Sequence, residues 1–375
     1  MRIENGLVFR EDGQFMERTV RIRGGRFSAF CEDTDLYDAR NCYVIPGLVD
    51  LHLHGALNAD CSDASVDSLS TVAQYEAYHG ITSFVPTTMT LPADQLRNIA
   101  RSIKQYCAED HNGASVLGYR LEGPFLSKEK CGSQETSALI PPDIDLLREL
   151  DELSGNQLRI CDLAPELPGS LPFIDAVPDR IRVSIAHTAC TYDTARAAMD
   201  HGAHHLTHMY NAMAPFQHRE PGPIGAASDD PDCTVELIAD GIHNHPSMVR
   251  NAFRIFGAKR ICLISDSMEA TGMPDGKYSL GGHDVFVKGK LAQLASGAIA
   301  ASVTNLYDCM VTAVREMGIP LEDVVLASTL TPARYLGVQH EVGSISLGKQ
   351  ADVLIVDRDT LELRAVICRG RMIRN

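Results

Sequence analysis

The chain has no long apolar run, no paired-cysteine motif and too few cations to offset its acids, and each lack narrows what it can be. No stretch approaches the ~20 apolar residues that span a bilayer. The opening residues, Met1-Arg2-Ile3-Glu4-Asn5-Gly6, show neither the basic segment nor the apolar run of a secretory leader, so a cytoplasmic protein is expected. The eleven cysteines are odd in number and include no Cys-x-x-Cys pair. That reads as reduced, mostly buried thiols and not as a disulfide framework. Lys plus Arg total 34 against 49 Asp plus Glu, a formal net charge of −15. A field of that sign repels nucleic acid and anionic membrane, and neither is expected as a partner. A small phosphorylated ligand is still compatible, because a few local cations outweigh a distant field.

What is present is a regular alternation. Short apolar or β-branched runs recur at 48–53, 81–87, 115–121, 158–163, 181–186, 203–207, 235–240 and 260–265. Amphipathic segments separate most of them, for example Ser68–His79 before Gly80 and Tyr192–His201 before Gly202. Glycine just past a helical pattern is a common stop, because it takes positive φ without a Cβ clash. Strand alternating with helix predicts parallel strands with right-handed crossovers, and eight such units predict an α/β fold of the (β/α)₈ TIM-barrel type. A barrel takes ~250 residues, and the 375 of this chain leave room for more. Both ends alternate like antiparallel strands. Residues 1–45 and 343–375 are therefore expected to form one small β-sandwich domain, with the barrel, 46–342, inserted between them. Gly281-Gly282 and Lys288-Gly289-Lys290 mark a β-hairpin insertion at about 277–297.

The chemistry lies in what ends each strand. Leu48-Val49-Asp50-Leu51-His52-Leu53-His54 places two histidines two apart, and residues i and i+2 of a strand share a face. Both imidazoles are expected inside the barrel, with Leu51 and Leu53 toward the helical shell. The other runs end in Glu122, His187, His208 and Asp266. Each of these alone has an ordinary reading: a core histidine, a salt-bridge partner, a helix cap. Six candidate ligands from five strand ends, where barrel enzymes carry their catalytic groups, point instead to a divalent metal site. His79 and His201, next to glycine at helix ends, suit the helix dipole and stay structural. His204 and His205 are expected to be structural too.

The run from Pro46 to Gly55 resembles the first metal motif of the amidohydrolase superfamily. Leu121-Glu122-Gly123-Pro124-Phe125, Thr207-His208-Met209-Tyr210-Asn211-Ala212-Met213, His218-Arg219-Glu220-Pro221-Gly222, Ala239-Asp240-Gly241-Ile242-His243 and Ser265-Asp266-Ser267-Met268-Glu269 are similar to one family within it, the N-acetylglucosamine-6-phosphate deacetylases. The resemblance covers nearly the whole chain. It implies a hydrolase of a linear amide, active on a phosphorylated amino sugar. Glu122, His187 and His208 are implied to hold one metal, with His52 and His54 holding a second that Glu122 bridges. Zn, Fe, Mn and Co all suit such ligands. Asp266 is implied as the proton carrier and as a further metal-site residue. Asn211 and Ala212 are implied on the sugar, and His243 and Arg219 on the phosphate. Arg219 would come from a neighbouring subunit, hence a homodimer. Its reading from the residues alone is a surface ion pair with Glu220. Two departures stand out. Gln134, implied as a substrate-binding residue, occupies a place where many members carry His, which suggests that a second metal takes over polarising the substrate carbonyl. Ile299-Ala300-Ala301-Ser302 differs from a more frequent Ala-Gly-Ser form at the sugar pocket. The competing readings are a deacetylase of N-acetylgalactosamine 6-phosphate, a hydrolase of cyclic amides, and a non-catalytic scaffold. The cyclic-amide reading lacks a metal-bridging Lys at a strand end. The scaffold reading expects lost ligands, and none of the six is lost.

Overall fold

The structure, a computed structural model, describes residues 1–31 and 35–375. Eight parallel strands form its centre: β1 (Leu48–Leu53), β2 (Ile81–Thr88), β3 (Tyr119–Leu121), β4 (Leu158–Leu163), β5 (Arg182–Ile185), β6 (His205–Leu206), β7 (Thr234–Ile238) and β8 (Ile261–Ile264). Each pairs with the next in chain order. The seam between β8 and β1 closes just beyond the strand ends. There Asp266 N donates to His52 O (2.9 Å), His54 N donates to Ser267 O (2.7 Å), and Ser265 N donates to the Asp50 carboxylate (3.2 Å). Helices such as Val66–Tyr78, Ala93–Cys107 and Tyr192–Asp200 cover the outside. The chain is an α/β barrel of the expected type.

Two local expectations are corrected. The run 115–121 is not one strand: Ser115–Val116 and Tyr119–Leu121 pair separately with β2, split at Gly118. That glycine has φ +122° and sits so close to the next strand that a Cβ would lie 2.5 Å from Gln157 O. Leu51 does not face the helical shell. It packs inside the barrel with Val49, Val85, Ile160, Ile238 and Ile264, while Leu53 joins the outer core. The cause is a bulge: Phe84 pairs with Asp50 and Pro86 with Leu53, so β1 spends three steps where β2 spends two. An extra residue rotates the side chains beyond it. Strict alternation therefore fails between Asp50 and Leu53, the segment that carries His52.

The ends of the chain form two further sheets. Cys42–Pro46 pairs antiparallel with Val353–Asp357, Ile355 lying opposite Val44, in a six-stranded sheet. A four-stranded sheet from residues 2–38 faces it. Ile3, Val8, Val20, Phe27, Val44, Val353, Ile355 and Ile367 fill the space between them. The other face of the six-stranded sheet is apolar as well: Phe9, Ile45, Leu354, Val356 and Val366 are buried with the barrel's outer core. Gly47 joins this unit to β1, and a Cβ there would lie 2.0 Å from Thr82 Oγ1. Gly276–Leu280, His283–Lys288 and Leu291–Leu294 form a three-stranded antiparallel sheet after β8. Among the described residues no disulfide joins any of the eleven cysteines. Among the described residues, no helix is long and apolar enough to cross a membrane.

Candidate active site and metal centre

The C-terminal strand ends bring His52, His54, Glu122, His187, His208 and Asp266 together, all buried. Their ligand atoms fall into two groups, each within 4.8 Å: His52, His54 and Asp266, and Glu122, His187 and His208. Glu122 lies between the groups. Its Oε1 is 3.2 Å from both His187 Nε2 and His208 Nε2, and its Oε2 is 3.2 Å from His54 Nε2. His187, His208 and Asp266 have φ of +41°, +27° and +51°. Non-glycine residues in that region cost roughly 1–3 kcal/mol each, and such strain clusters at functional sites. Here it turns each side chain back over the mouth of the barrel.

The remaining ring nitrogens decide what the cluster can hold. His54 Nδ1 faces Thr87 O (3.3 Å), His187 Nδ1 faces Lys130 O (2.9 Å) and His208 Nδ1 faces Asn211 O (3.2 Å). His52 Nδ1 faces the Glu236 carboxylate (3.1 Å). All four partners only accept, so all four Nδ1 atoms donate, and each neutral ring turns an Nε2 lone pair inward. His187 Nε2 and His208 Nε2 stand 3.1 Å apart. His52 Nε2 is fully buried with no hydrogen-bond partner among the described residues, 3.5 Å from Glu122 and 3.6 Å from Asp266. Lone pairs and carboxylates gathered around one buried volume repel one another unless a positive charge sits among them. The donor set therefore fits a divalent cation, with each imidazole oriented from behind by a carbonyl or carboxylate. Without one, protons take its place: burial lowers the basicity of His54, but Asp266 and Glu122 outweigh it and raise its pKa to about 9. Burial likewise pushes the Asp266 carboxyl up, and His52 and His54 bring it below its ordinary value. A bound cation competes for the same lone pairs.

A cavity of about 170 Å³ opens above the cluster, walled partly by Gln134, Asn211, Ala212, His243 and Ile299. The three-stranded insertion folds back to complete it, since Ser302 N donates to Asp266 O (2.8 Å) and Ser133 Oγ to Ala300 O (3.1 Å). His243 is fixed by Asp240, whose carboxylate accepts from its Nδ1 (2.7 Å) and its backbone N (2.9 Å). Burial lowers the His243 pKa, but Asp240 outweighs it and raises it. Arg219 is exposed on the segment 216–220 and does not line this chain's own cavity.

Gln134 reaches the site but is already engaged at both ends. Its Oε1 accepts from Thr90 N (2.7 Å), and its Nε2 donates to Glu122 Oε2 (2.8 Å). The amide holds the central carboxylate in place. Gln134→Ala is accordingly expected to weaken metal binding by roughly 10-fold, the scale of a lost outer-sphere partner. Chelator competition measures it directly, and an unchanged affinity would show that Glu122 needs no such support.

Sequence reasoning missed the charges beneath this cluster. Glu236, fully buried on β7, accepts from His52 Nδ1 (3.1 Å) and His208 N (3.0 Å) through Oε2. Its Oε1 faces His205 Nε2 (3.1 Å) and the Arg120 guanidinium. Arg120 also donates to both Asp162 oxygens (2.9 Å each) and to Thr207 Oγ1 (2.7 Å). The available signal was a charge inside each of three apolar runs, at Arg120, Asp162 and Glu236.

Comparison with known proteins agrees with this geometry. The amidohydrolase family model matches residues 179–373. An N-acetylglucosamine-6-phosphate deacetylase of Vibrio furnissii is 37% identical over 88% of this chain and 82% of its own length. An N-acetylgalactosamine-6-phosphate deacetylase of Escherichia coli O157:H7 is 35% identical over 96% of each chain. A mutant N-acetyl-D-glucosamine-6-phosphate deacetylase of Mycobacterium smegmatis, solved in complex with N-acetyl-D-glucosamine-6-phosphate, superposes with a TM-score of 0.93. It is 30% identical and covers 100% of this chain and 99% of that one. A barrel with this cluster at its strand ends, matched by that family model, defines an amidohydrolase. Within that class, the chain belongs to the N-acetylglucosamine-6-phosphate deacetylase family.

Proposed function

We propose that this hydrolase removes the acetyl group of N-acetylglucosamine 6-phosphate, giving glucosamine 6-phosphate and acetate. The observation that carries the reading is the buried six-residue cluster with Asp266 at its edge, under a cavity that His243 borders. Glu122, His187 and His208 hold one divalent cation, and His52 and His54 a second, with Zn, Fe, Mn and Co all compatible with these donors. When bound, such a cation supplies Lewis-acid polarisation of the amide carbonyl and lets water attack at neutral pH. Asp266 takes the proton from the attacking water and passes it to the amide nitrogen as the C–N bond breaks, since an amide anion leaves poorly. Gln134 keeps Glu122 aimed at the cluster. Asn211, Ala212 and Ile299 border the sugar. His243, held by Asp240, meets the phosphate together with Arg219 of the partner subunit, so the active form is a homodimer. Residues 46–342 carry the chemistry, clasped by 1–45 and 343–375, and the protein works in the cytoplasm.

Acetate release from N-acetylglucosamine 6-phosphate, its galacto epimer and unphosphorylated N-acetylglucosamine tests the reading, with Zn²⁺, Fe²⁺, Mn²⁺ and Co²⁺ supplied in turn. Two charge-assisted phosphate contacts at about 1.5–3 kcal/mol each predict at least a ~10²-fold preference for the phosphorylated gluco sugar over the unphosphorylated one. Equal rates on both would remove His243 and Arg219 from substrate binding. Faster turnover of the galacto epimer would reassign the sugar.

A further inference from the structure

The opposite mouth of the barrel has a cavity of its own, about 330 Å³, where the N-terminal ends of β5 to β8 meet the helix Leu330–Tyr335. Three cations line it: Arg182 at the first position of β5, Lys259 just before β8, and Arg334 on the helix. None of the three makes an ion pair within 4 Å among the described residues, although the chain carries 49 acids. Arg182 spends only its Nε, donating to Tyr335 O (3.1 Å). The Lys259 and Arg334 side chains make no hydrogen bond among those residues. His204, also in the wall, is committed to Asp230 (2.8 Å). Asp232 is the one carboxylate in the lining. Three cations against one anion leave the lining at about +2.

Like charges brought to one concavity repel one another, and three exposed cations face a single carboxylate in this one. Here the cations stay unpaired and share a concave wall. Guanidinium groups present donors in a planar fork that matches phosphate oxygens, and an ammonium adds a point charge. The volume is at the small end of ligand sites, which suits a compact molecule.

We propose that this lower cavity binds a compact phosphate-bearing dianion, at a site separate from the one where the acetyl group is removed. Such a site is independent of the substrate assigned above. Calorimetric titration of inorganic phosphate and of glycerol 3-phosphate into metal-loaded protein tests it, comparing wild type with Lys259→Gln/Arg334→Gln. Because neither side chain makes a hydrogen bond or ion pair among the described residues, the double variant should keep its melting temperature in phosphate-free buffer and its rate of acetate release. Losing two charge-assisted contacts should weaken one class of phosphate binding by at least ~10-fold. His243→Ala, at the other mouth, should leave that class intact. Tighter binding of the ester would assign the site to a phosphorylated metabolite, and equal binding to free phosphate itself. Identical isotherms for wild type and the double variant would overturn the proposal.

Discussion

Asp266→Asn is expected to keep its metal and lose at least ~10²-fold in turnover, about 2.7 kcal/mol of transition-state stabilisation. The substitution is nearly isosteric, and the backbone at this position is held independently of the side chain. Asp266 N donates to His52 O and Asp266 O accepts from Ser302 N, so the φ of +51° survives. An amide oxygen still faces His54 Nε2, now 3.3 Å from the carboxylate, and the other five residues of the cluster are untouched. What is lost is the ability to accept a proton from water and return it to the departing nitrogen. Metal content by elemental analysis, beside kcat on the phosphorylated sugar, separates the two roles. Near-wild-type turnover with metal in place would remove Asp266 as proton carrier. Low turnover with no metal would make it a ligand first and leave the proton carrier to be found elsewhere.

The candidate site was legible where it depends on strand ends and illegible where it depends on register. Glu122, His187, His208 and Asp266 each come directly after an apolar run. The end of a run can be read from sequence, so the gathering of all four at one mouth is a consequence of the barrel alone. His52 and His54 reach the same place by a different route than alternation implies. The bulge opposite Phe84 and Pro86 puts Leu51 inside the barrel and still delivers both imidazoles. A bulge is set by how two strands pair, and one strand's sequence does not contain that pairing. The terminal domain was readable for the same reason as the strand ends, since its two alternating segments need each other's faces. The split at Gly118 was not, because only contact with the next strand excludes a side chain there. The polar layer under the histidine–carboxylate cluster escaped for a third reason. Arg120, Asp162 and Glu236 sit on three strands and make sense only once those strands lie side by side, when each buried charge acquires its partner.

That layer predicts the second large effect. Glu236→Gln should lower unfolding stability by about 3–5 kcal/mol, the scale for breaking a buried ion pair, and weaken metal binding roughly 10–100-fold. Burial alone would raise the Glu236 carboxyl pKa, but Arg120, His205 and His52 hold it well below the ordinary carboxylate range. Its two oxygens serve four neighbours: His52 Nδ1 and His208 N on one side, Arg120 and His205 on the other. A glutamine fills the same space but replaces one acceptor with a donor. Turned one way, its NH₂ confronts the Arg120 guanidinium, which then keeps Asp162 as its single carboxylate. Turned the other way, it confronts His52 Nδ1 and His208 N, and the tautomer that aims His52 Nε2 at the cluster loses its partner. The two orientations separate in measurement. Urea unfolding of the metal-free protein reports the Arg120 side, and chelator competition reports the His52 side. A variant that loses stability but holds metal as tightly as wild type would make Glu236 a counter-ion for Arg120 alone. One that keeps its stability and loses metal would place its main work on the histidines. If neither quantity moved, the Nδ1–H assignment of His52 would be wrong, and with it the case that its unpartnered Nε2 faces a cation.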